Sequence, residues 1–259
     1  PKILDRQGNY AYTKGGSIYD FYIREYAGVD PADGYPMWNQ YYDDVNGDGL
    51  FDSGDTAIQS MTDYLDANPD ANVEKTLTKT YADATERFND GKSGIPDVAG
   101  AFRIAARYKN WNLSTQFTYS LGGYAYDNQY AELIHDNNSG ISGTNRHIDI
   151  RDRWQQPGDI TSVPRIADRV IPNVRSQSTR FLIKKDYLAL NNILLGYTLS
   201  SKFLDNTGLD MVNLYVSGDN LFVKSARVGY NASLSESGSS GWATYAPLTT
   251  FTLGFKLKF

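Results

Sequence analysis

The sequence predicts an all-β chain, the strands of a large antiparallel transmembrane β-barrel joined by long extracellular loops. Three observations predict it. Segments of nine to thirteen residues alternate apolar and polar side chains with a period of two. That exceeds the roughly five or six residues of a soluble strand and matches the roughly 9–11 that cross a tilted bilayer. The connections alternate between short and very long, as barrels with short periplasmic turns and long outer loops do.

Taken in order, residues 1–16 are expected to lead in from the periplasmic side. The chain opens on Pro1 with no initiator Met and no signal-peptide core, which reads as an internal or processed start. The first strand is expected near 17–27, setting Tyr19, Phe21 and Ile23 against Asp20, Tyr22 and Arg24. A long loop over 28–99 follows. Strands near 100–108 and 111–121 come next. Phe102, Ile104, Ala106 and Tyr108 share one face, and Trp111, Leu113, Thr115, Phe117, Tyr119 and Leu121 another. Only Lys109 and Asn110 separate them, a two-residue hairpin in which Asn110 is expected to take the positive φ. After an outer loop over 122–186, strands are expected near 187–199 and 212–221. A loop over 222–249 leads to the clearest alternation, near 250–259: Phe251, Leu253, Phe255, Leu257 and Phe259 oppose Thr250, Thr252, Gly254, Lys256 and Lys258.

A soluble β-sandwich produces the same period, because its inner face is apolar and its outer face polar. Three details favour lipid. Trp and Tyr stand near the ends of the apolar faces (Tyr108, Trp111, Tyr119, Tyr197), as in an interfacial girdle. The polar faces carry Asn, Gln, Ser and Thr more than charge. The chain ends on an alternating strand closed by Phe259.

Composition narrows the chemistry. The 259 residues carry 25 Lys+Arg against 30 Asp+Glu, a net charge of −5 without a basic block, so nucleic acid is not an expected partner. With no Cys and two His, thiolate zinc and Fe–S sites are excluded. No run of about 18 apolar residues offers a membrane helix.

Asp44, Asn46, Asp48, Leu50, Asp52 and Asp55 fit D-x-N-x-D-G-x-x-D-x-x-D, an oxygen-donor loop of the calcium type with a sharp turn at Gly49. Position 12 is Asp, where an EF-hand has Glu. The other reading is a metal-free Asx-rich turn. Ca²⁺ is the one cofactor expected; no organic cofactor is. Trp38, Tyr41 and Tyr42, with Tyr35, form an aromatic cluster that would stack on sugar or peptide if exposed, or pack within a folded loop if not. Trp154 with Pro157, Gly158 and Pro164 reads as a rigid corner. His135 and His147 lie near Asp136, Asp149 and Asp152, but no spacing there singles out catalytic residues, and no phosphate-cradling or dinucleotide motif is present. No enzyme activity is expected.

Several stretches, in one order, resemble the SusC/RagA-type TonB-dependent outer-membrane transporters of Bacteroidetes-like bacteria. FYIREYAGVDPADGYPMWNQ resembles a strand-to-loop passage of that family and YYDDVNGDGLFDSGD its acidic loop. RDRWQQPGDITSVPRI resembles a tryptophan–proline segment of a large outer loop. KKDYLALNNILLGYTLS, NLYVSGDNLFV and APLTTFTLGFKLKF resemble its closing strands. The resemblance implies the C-terminal portion of a barrel of about 22 strands with a plugged lumen. Neither the N-terminal plug nor the segment that TonB grips is recognisable here. It further implies import of glycans or peptides, with a SusD-like surface lipoprotein, the TonB complex, outer-membrane lipid and the rest of the barrel and plug as partners. Six strands cannot close such a lumen and would leave two long edges. The alternative function is a calcium-stabilised extracellular carbohydrate-binding β module, which requires the apolar faces of 111–121 and 250–259 to be buried in protein. A secreted hydrolase has no positive support in the sequence.

Overall fold

The computed structural model describes residues 2–134, 145–166, 173–205, 207–232 and 247–259. The chain divides into two compact units. One is built mainly from Pro1–Ile95 and Tyr124–Ile183, the other from Pro96–Gly123, Lys184–Ser235 and Thr244–Phe259.

In the first unit β1 (Ile3–Gln7), β2 (Tyr10–Thr13), β3 (Asp20–Arg24) and β8 (Glu86–Ser93) form one sheet in that order. β5 (Pro36–Asp43) is the centre of another, pairing with β4 (Tyr26–Val29), β6 (Thr56–Ile58) and β7 (Val73–Thr78). A short helix α1 (Met61–Ala67) follows β6. β11 (Tyr124–Tyr126) and α2 (Asn128–Leu133) follow in the same unit. Its core gathers Phe21, Ile23, Tyr126, Ala131, Ile134, Val163 and Phe181.

This arrangement gives the lead-in a structure and corrects a strand. Within the expected lead-in over 1–16, residues 3–13 make the β1–β2 hairpin, turned by Gly8 at φ 61 with Gln7 facing Tyr10. A two-residue Gly-Asn turn suits such a hairpin because glycine takes the positive φ without strain. Residues 17–27 do not supply a long stave. They split into β3 and β4, and Phe21 and Ile23 are 0% and 3% exposed inside the first unit's core, with Tyr22 buried on the opposite side. Period two reports that one face is covered; it does not report by what. The long loop expected over 28–99 holds four whole strands, β5 to β8, and the helix α1.

The second unit is a single antiparallel sheet of five long strands, ordered β15 (Thr250–Lys258), β14 (Met211–Ser225), β13 (Tyr187–Thr198), β10 (Trp111–Leu121) and β9 (Val98–Tyr108). β14 reaches four residues beyond the expected 221. The β9–β10 hairpin sets Tyr108 opposite Trp111 and Val98 opposite Leu121. Its turn differs from expectation, since the left-handed residue is Lys109 at φ 52 and not Asn110; the Asn110 carbonyl instead accepts from Thr198 N–H at 2.9 Å. Toward the other end, the register shifts at Asn191 of β13 and again between Asn192 and Leu190 as they face β14, where Asn220 has φ 54. Bulges of this kind bend a sheet and sharpen its twist. β12 (Leu182–Lys184) pairs with β11. Parts of the two later loops, 135–144, 167–172 and 233–246, lie outside the described residues, and so do His135 and Asp136.

Candidate functional site

The alternation of β15 becomes a surface once the register is followed across the sheet. Directly opposed residues in antiparallel strands point to the same side. Leu253 faces Val216, which faces Leu195, which faces Leu113, which faces Ala106. The next row is Phe255, Leu214, Tyr197, Trp111 and Tyr108, and the row on the other side is Phe251, Gly218, Ile193, Thr115 and Ile104. Beyond the bulges, Phe222, Leu190, Phe117 and Phe102 continue the same face. Five strands thus share one apolar wall, whose aromatic row lies at the short-hairpin end, with the Trp111 and Tyr197 rings 4.8 Å apart.

Among the described residues of the second unit, nothing covers the wall. Leu253 is 81% exposed, Phe251 72% and Trp111 48%. A continuous apolar patch of this size on a water-facing surface marks an interface with lipid or protein. The alternative of a soluble module needed these faces sealed, and within the second unit they are not.

The opposite face is polar. Its rows include Thr252, Ser217, Leu194, Ser114 and Ala105, and next to them Thr250, Asp219, Asn192, Gln116 and Arg103. The side chains bond along the wall: Arg103 Nε donates to Ser114 Oγ at 2.8 Å, Asn192 Nδ2 to Asp219 Oδ1 at 2.7 Å, and Asn213 Nδ2 to Thr198 Oγ1 at 2.9 Å. Gly254 makes room on this face, because a Cβ there would lie 2.4 Å from the Tyr215 ring. Such a wall suits a wet passage, where hydroxyls and amides replace water's hydrogen bonds without fixing a strong charge.

The first unit holds the residues expected to bind ligand, and its geometry assigns them differently. Trp38 and Tyr42 are each 2% exposed on the buried side of β5. Trp38 packs edge-on against Tyr81 at 5.4 Å, and Tyr42 against Phe51 at 5.0 Å. Neither presents a face to a sugar or peptide. Tyr41 lies on the other side of the strand, where its hydroxyl donates to Glu25 Oε2 at 2.8 Å and accepts from Arg87 Nη1 at 2.8 Å. Burial, and then the Glu25 carboxylate, push its pKa above the ordinary tyrosine value. The cluster is packing and an internal polar network. Alternation of Trp38, Gln40 and Tyr42 with Asn39 and Tyr41 hid this in the sequence, because polarity does not separate the two sides.

The acidic turn is organised by its own backbone. Asp44 is buried and accepts from Gly47 N–H at 2.9 Å and Gly49 N–H at 3.0 Å. Asp48 accepts from Leu50 N–H at 2.8 Å, and Asp55 from Asp52 N–H at 3.0 Å and Val45 N–H at 3.2 Å. Asn46 Oδ1 takes Asp48 N–H at 3.0 Å. The bonds at Asn46 and Asp48 are Asx turns, the local bonds that Asp and Asn favour, and those at Asp44 and Asp55 tie the turn together across longer spans. In this arrangement the carboxylates serve the turn, and among the described residues no three His, Asp or Glu side chains are gathered so as to hold a metal ion.

The tryptophan–proline segment docks on the turn after β4. Trp154 Nε1 donates to the Pro31 carbonyl at 3.0 Å, Gly158 N–H to the same carbonyl at 2.8 Å, and Arg165 N–H to the Gly34 carbonyl at 3.1 Å. The indole lies on Gly34, where a Cβ would come within 2.5 Å of the ring. Lys79 closes this turn from the other side, its Nζ 2.5 Å from Asp30 Oδ2 and 2.8 Å from Asp33 Oδ2. The hydrogen bonds from Lys79 hold both carboxyls below the usual carboxylate range and raise the lysine. His147 Nδ1 accepts from Asp149 N–H at 3.2 Å, capping a short 3₁₀ turn, a structural duty.

No protein-family model matches the chain. Two curated proteins of Formosa agariphila are similar to it. TonB-dependent receptor P3 is 27% identical over 258 residues, covering 95% of this chain and 22% of that protein. TonB-dependent receptor P39 is 26% identical over 202 residues, covering 76% of this chain and 18% of that one. Among solved structures, the RagAB peptide transporter superposes with a TM-score of 0.66 at 23% identity, over 93% of this chain and 23% of that chain. The RagAB peptide importer in its open-open state gives 0.63 at 21% identity, over 93% and 22%. The chain therefore spans about a fifth of the length of the relatives it matches.

Proposed function

We propose that this chain, which resembles the C-terminal portion of a SusC/RagA-type TonB-dependent outer-membrane transporter, supplies closing strands and outer loops to an importer of large nutrients, glycans or peptides. One observation carries the reading: the two-faced sheet of five long strands, apolar and uncovered on one side, polar on the other. In a bilayer the apolar wall meets lipid and the polar wall lines the passage. Two edges, β9 and β15, need neighbouring strands, because unpaired backbone is costly in hydrocarbon. The rest of the barrel and its plug would supply them.

The division of labour follows. Loops capture cargo, the wall gives it a polar path, and a plug pulled by the TonB complex opens that path. Capture at an outer face suits a lid, and a SusD-like surface lipoprotein is the partner we propose for it. Outer-membrane lipid is the solvent of the apolar wall. No group described above is arranged for bond cleavage, and we read the chain as a transporter part, not an enzyme.

Calcium at Asp44, Asn46, Asp48, Leu50 (through its carbonyl), Asp52 and Asp55 is a separate proposal, supported by the oxygen-only donor set. It would order the turn and take no part in transport chemistry. Exchanging EGTA for Ca²⁺ should slow proteolysis within 44–55, and Asp48→Ala should erase the difference. Identical cleavage in both buffers ends this proposal.

The transport reading is tested by fractionating cells that express the complete receptor. Carbonate-resistant recovery with the outer membrane, together with a co-purifying surface lipoprotein, is the expected result. A detergent-free, folded monomer of this chain would defeat it.

A further inference from the structure

We infer that the apolar wall carries a binding groove for a phosphorylated lipid of the outer leaflet, with Lys224 and Lys184 at its rim. The inference rests on the membrane reading above. The groove, of about 530 Å³, lies within the second unit and is lined by Phe102, Tyr119, Leu121 and Leu188, with both lysines.

Its place on the sheet follows from register. Lys224 faces Leu188, which faces Tyr119, which faces Gly100, so all four belong to the lipid-side rows. Along the paired rows of that face, from Leu257 to Val98, Lys224 is the one charged residue among those described. It stands at the end opposite the two-residue Lys109–Asn110 turn, where the long connections begin. In the transport reading this is the extracellular end.

The groove has a structural cause. Gly100 has no side chain, and a Cβ there would come within 3.0 Å of the Tyr119 hydroxyl. Tyr119 therefore leans over β9, with its ring 6.3 Å from that of Phe102. Asp186, the acidic residue in the lining, accepts Gly122 N–H at 2.6 Å. That bond commits one carboxylate oxygen to the backbone. Lys224 and Lys184 are both exposed. An apolar slot with exposed ammonium groups at its rim fits an acyl chain below and a phosphate above; long lysine stems reach the interface in the same way. A neutral lipid would leave the lysines without a counterpart, and a free phosphate would leave the slot unused.

The test uses the complete receptor, reconstituted in nanodiscs of phosphatidylcholine with or without lipid A, and native mass spectrometry to count retained lipid. Wild type should retain lipid A in preference to phosphatidylcholine. Lys224→Ala should lower retention about fivefold, the equivalent of ~1 kcal/mol for one cation beside an anionic surface. Lys184→Ala in addition should lower it further, and Lys224→Arg should restore it. Added inorganic phosphate should displace none. Equal retention by the double variant, displacement by inorganic phosphate, or equal uptake of phosphatidylcholine overturns the inference. The two readings fail separately: a receptor found in the outer membrane with unchanged retention sinks only the lipid site, whereas one found in the soluble fraction sinks both.

Discussion

At the scale of single residues, the turn at 30–34 shows how much rests on one missing Cβ. Gly34 has φ 74 and lies beneath the Trp154 indole. Gly34→Ala adds a left-handed cost of about 1–2 kcal/mol for an L residue and pushes against a ring fixed by its own hydrogen bond. We expect the 153–165 segment to become protease-sensitive in this variant, with Trp154 fluorescence shifted toward that of exposed indole. Lys79 gives a second prediction at the same turn. Because Asp30 and Asp33 are depressed, their contribution is complete above the unfolded aspartate pKa of about 4 and is lost as pH falls through the lower folded values. Lys79 is raised, so its contribution is complete below about 10.4 and is lost as pH rises through its higher folded value. A 19F resonance on Trp154 should therefore hold steady between those limits and move outside them, and Lys79→Met should remove both movements. A resonance that ignores pH in wild type would contradict the coupling. In the sequence, the partner that covers Gly34 lies more than a hundred residues away. Nothing local names it.

Among elements, the long strands were legible because length and alternation act together. The predicted apolar residues of β9, β10 and, up to Leu257, β15 stand on one shared face. What the sequence did not carry was the fate of 17–27, whose alternation is less clean than that of the long strands, with Tyr22 among its polar positions. Phe21 and Ile23 are covered by the first unit's own core, while Leu253 and Phe255 are exposed among the described residues. The short hairpin signals Gly8-Asn9 and Gly15-Gly16 upstream are the local features that separate the two cases, because they cut the strands to four or five residues, too few to span a bilayer. The aromatic cluster left two readings open for a related reason: aromatic content fits a contact surface or a packed loop, and only the pairing of β5 on both sides shows that Trp38 and Tyr42 face inward. Facing on β15 is testable by a matched pair. Leu253→Arg puts a charge on the lipid side at a cost of about 2–4 kcal/mol if it falls at mid-depth. Thr252→Arg, one residue away, points to the polar wall beside Ser217. Receptor level in the outer membrane should drop for the first and stay near wild type for the second; equal loss would reverse the facing.

The whole molecule poses the question of its edges. Among the described residues, β15 pairs only with β14, and β9 only with β10, so each strand has an outer row of N–H and C=O groups with no described strand beside it. Exposed edges of this length promote association in water, and neither is blunted by Pro or by a bulge within its paired stretch. In the complete receptor those groups must be bonded, because hydrocarbon offers no water to take them. Hydrogen exchange distinguishes the two situations amide by amide. Along β15, amides alternate between those directed at β14 and those directed outward. In the complete receptor held in a membrane mimetic, both sets should be protected to a similar degree, and the same should hold along β9. In this chain alone, the outward set should exchange quickly while the inward set stays slow. Fast outward amides in the complete receptor would mean that the sheet ends where this chain ends. A wall with open edges cannot enclose a passage, so that single pattern would remove the barrel and with it the import reading.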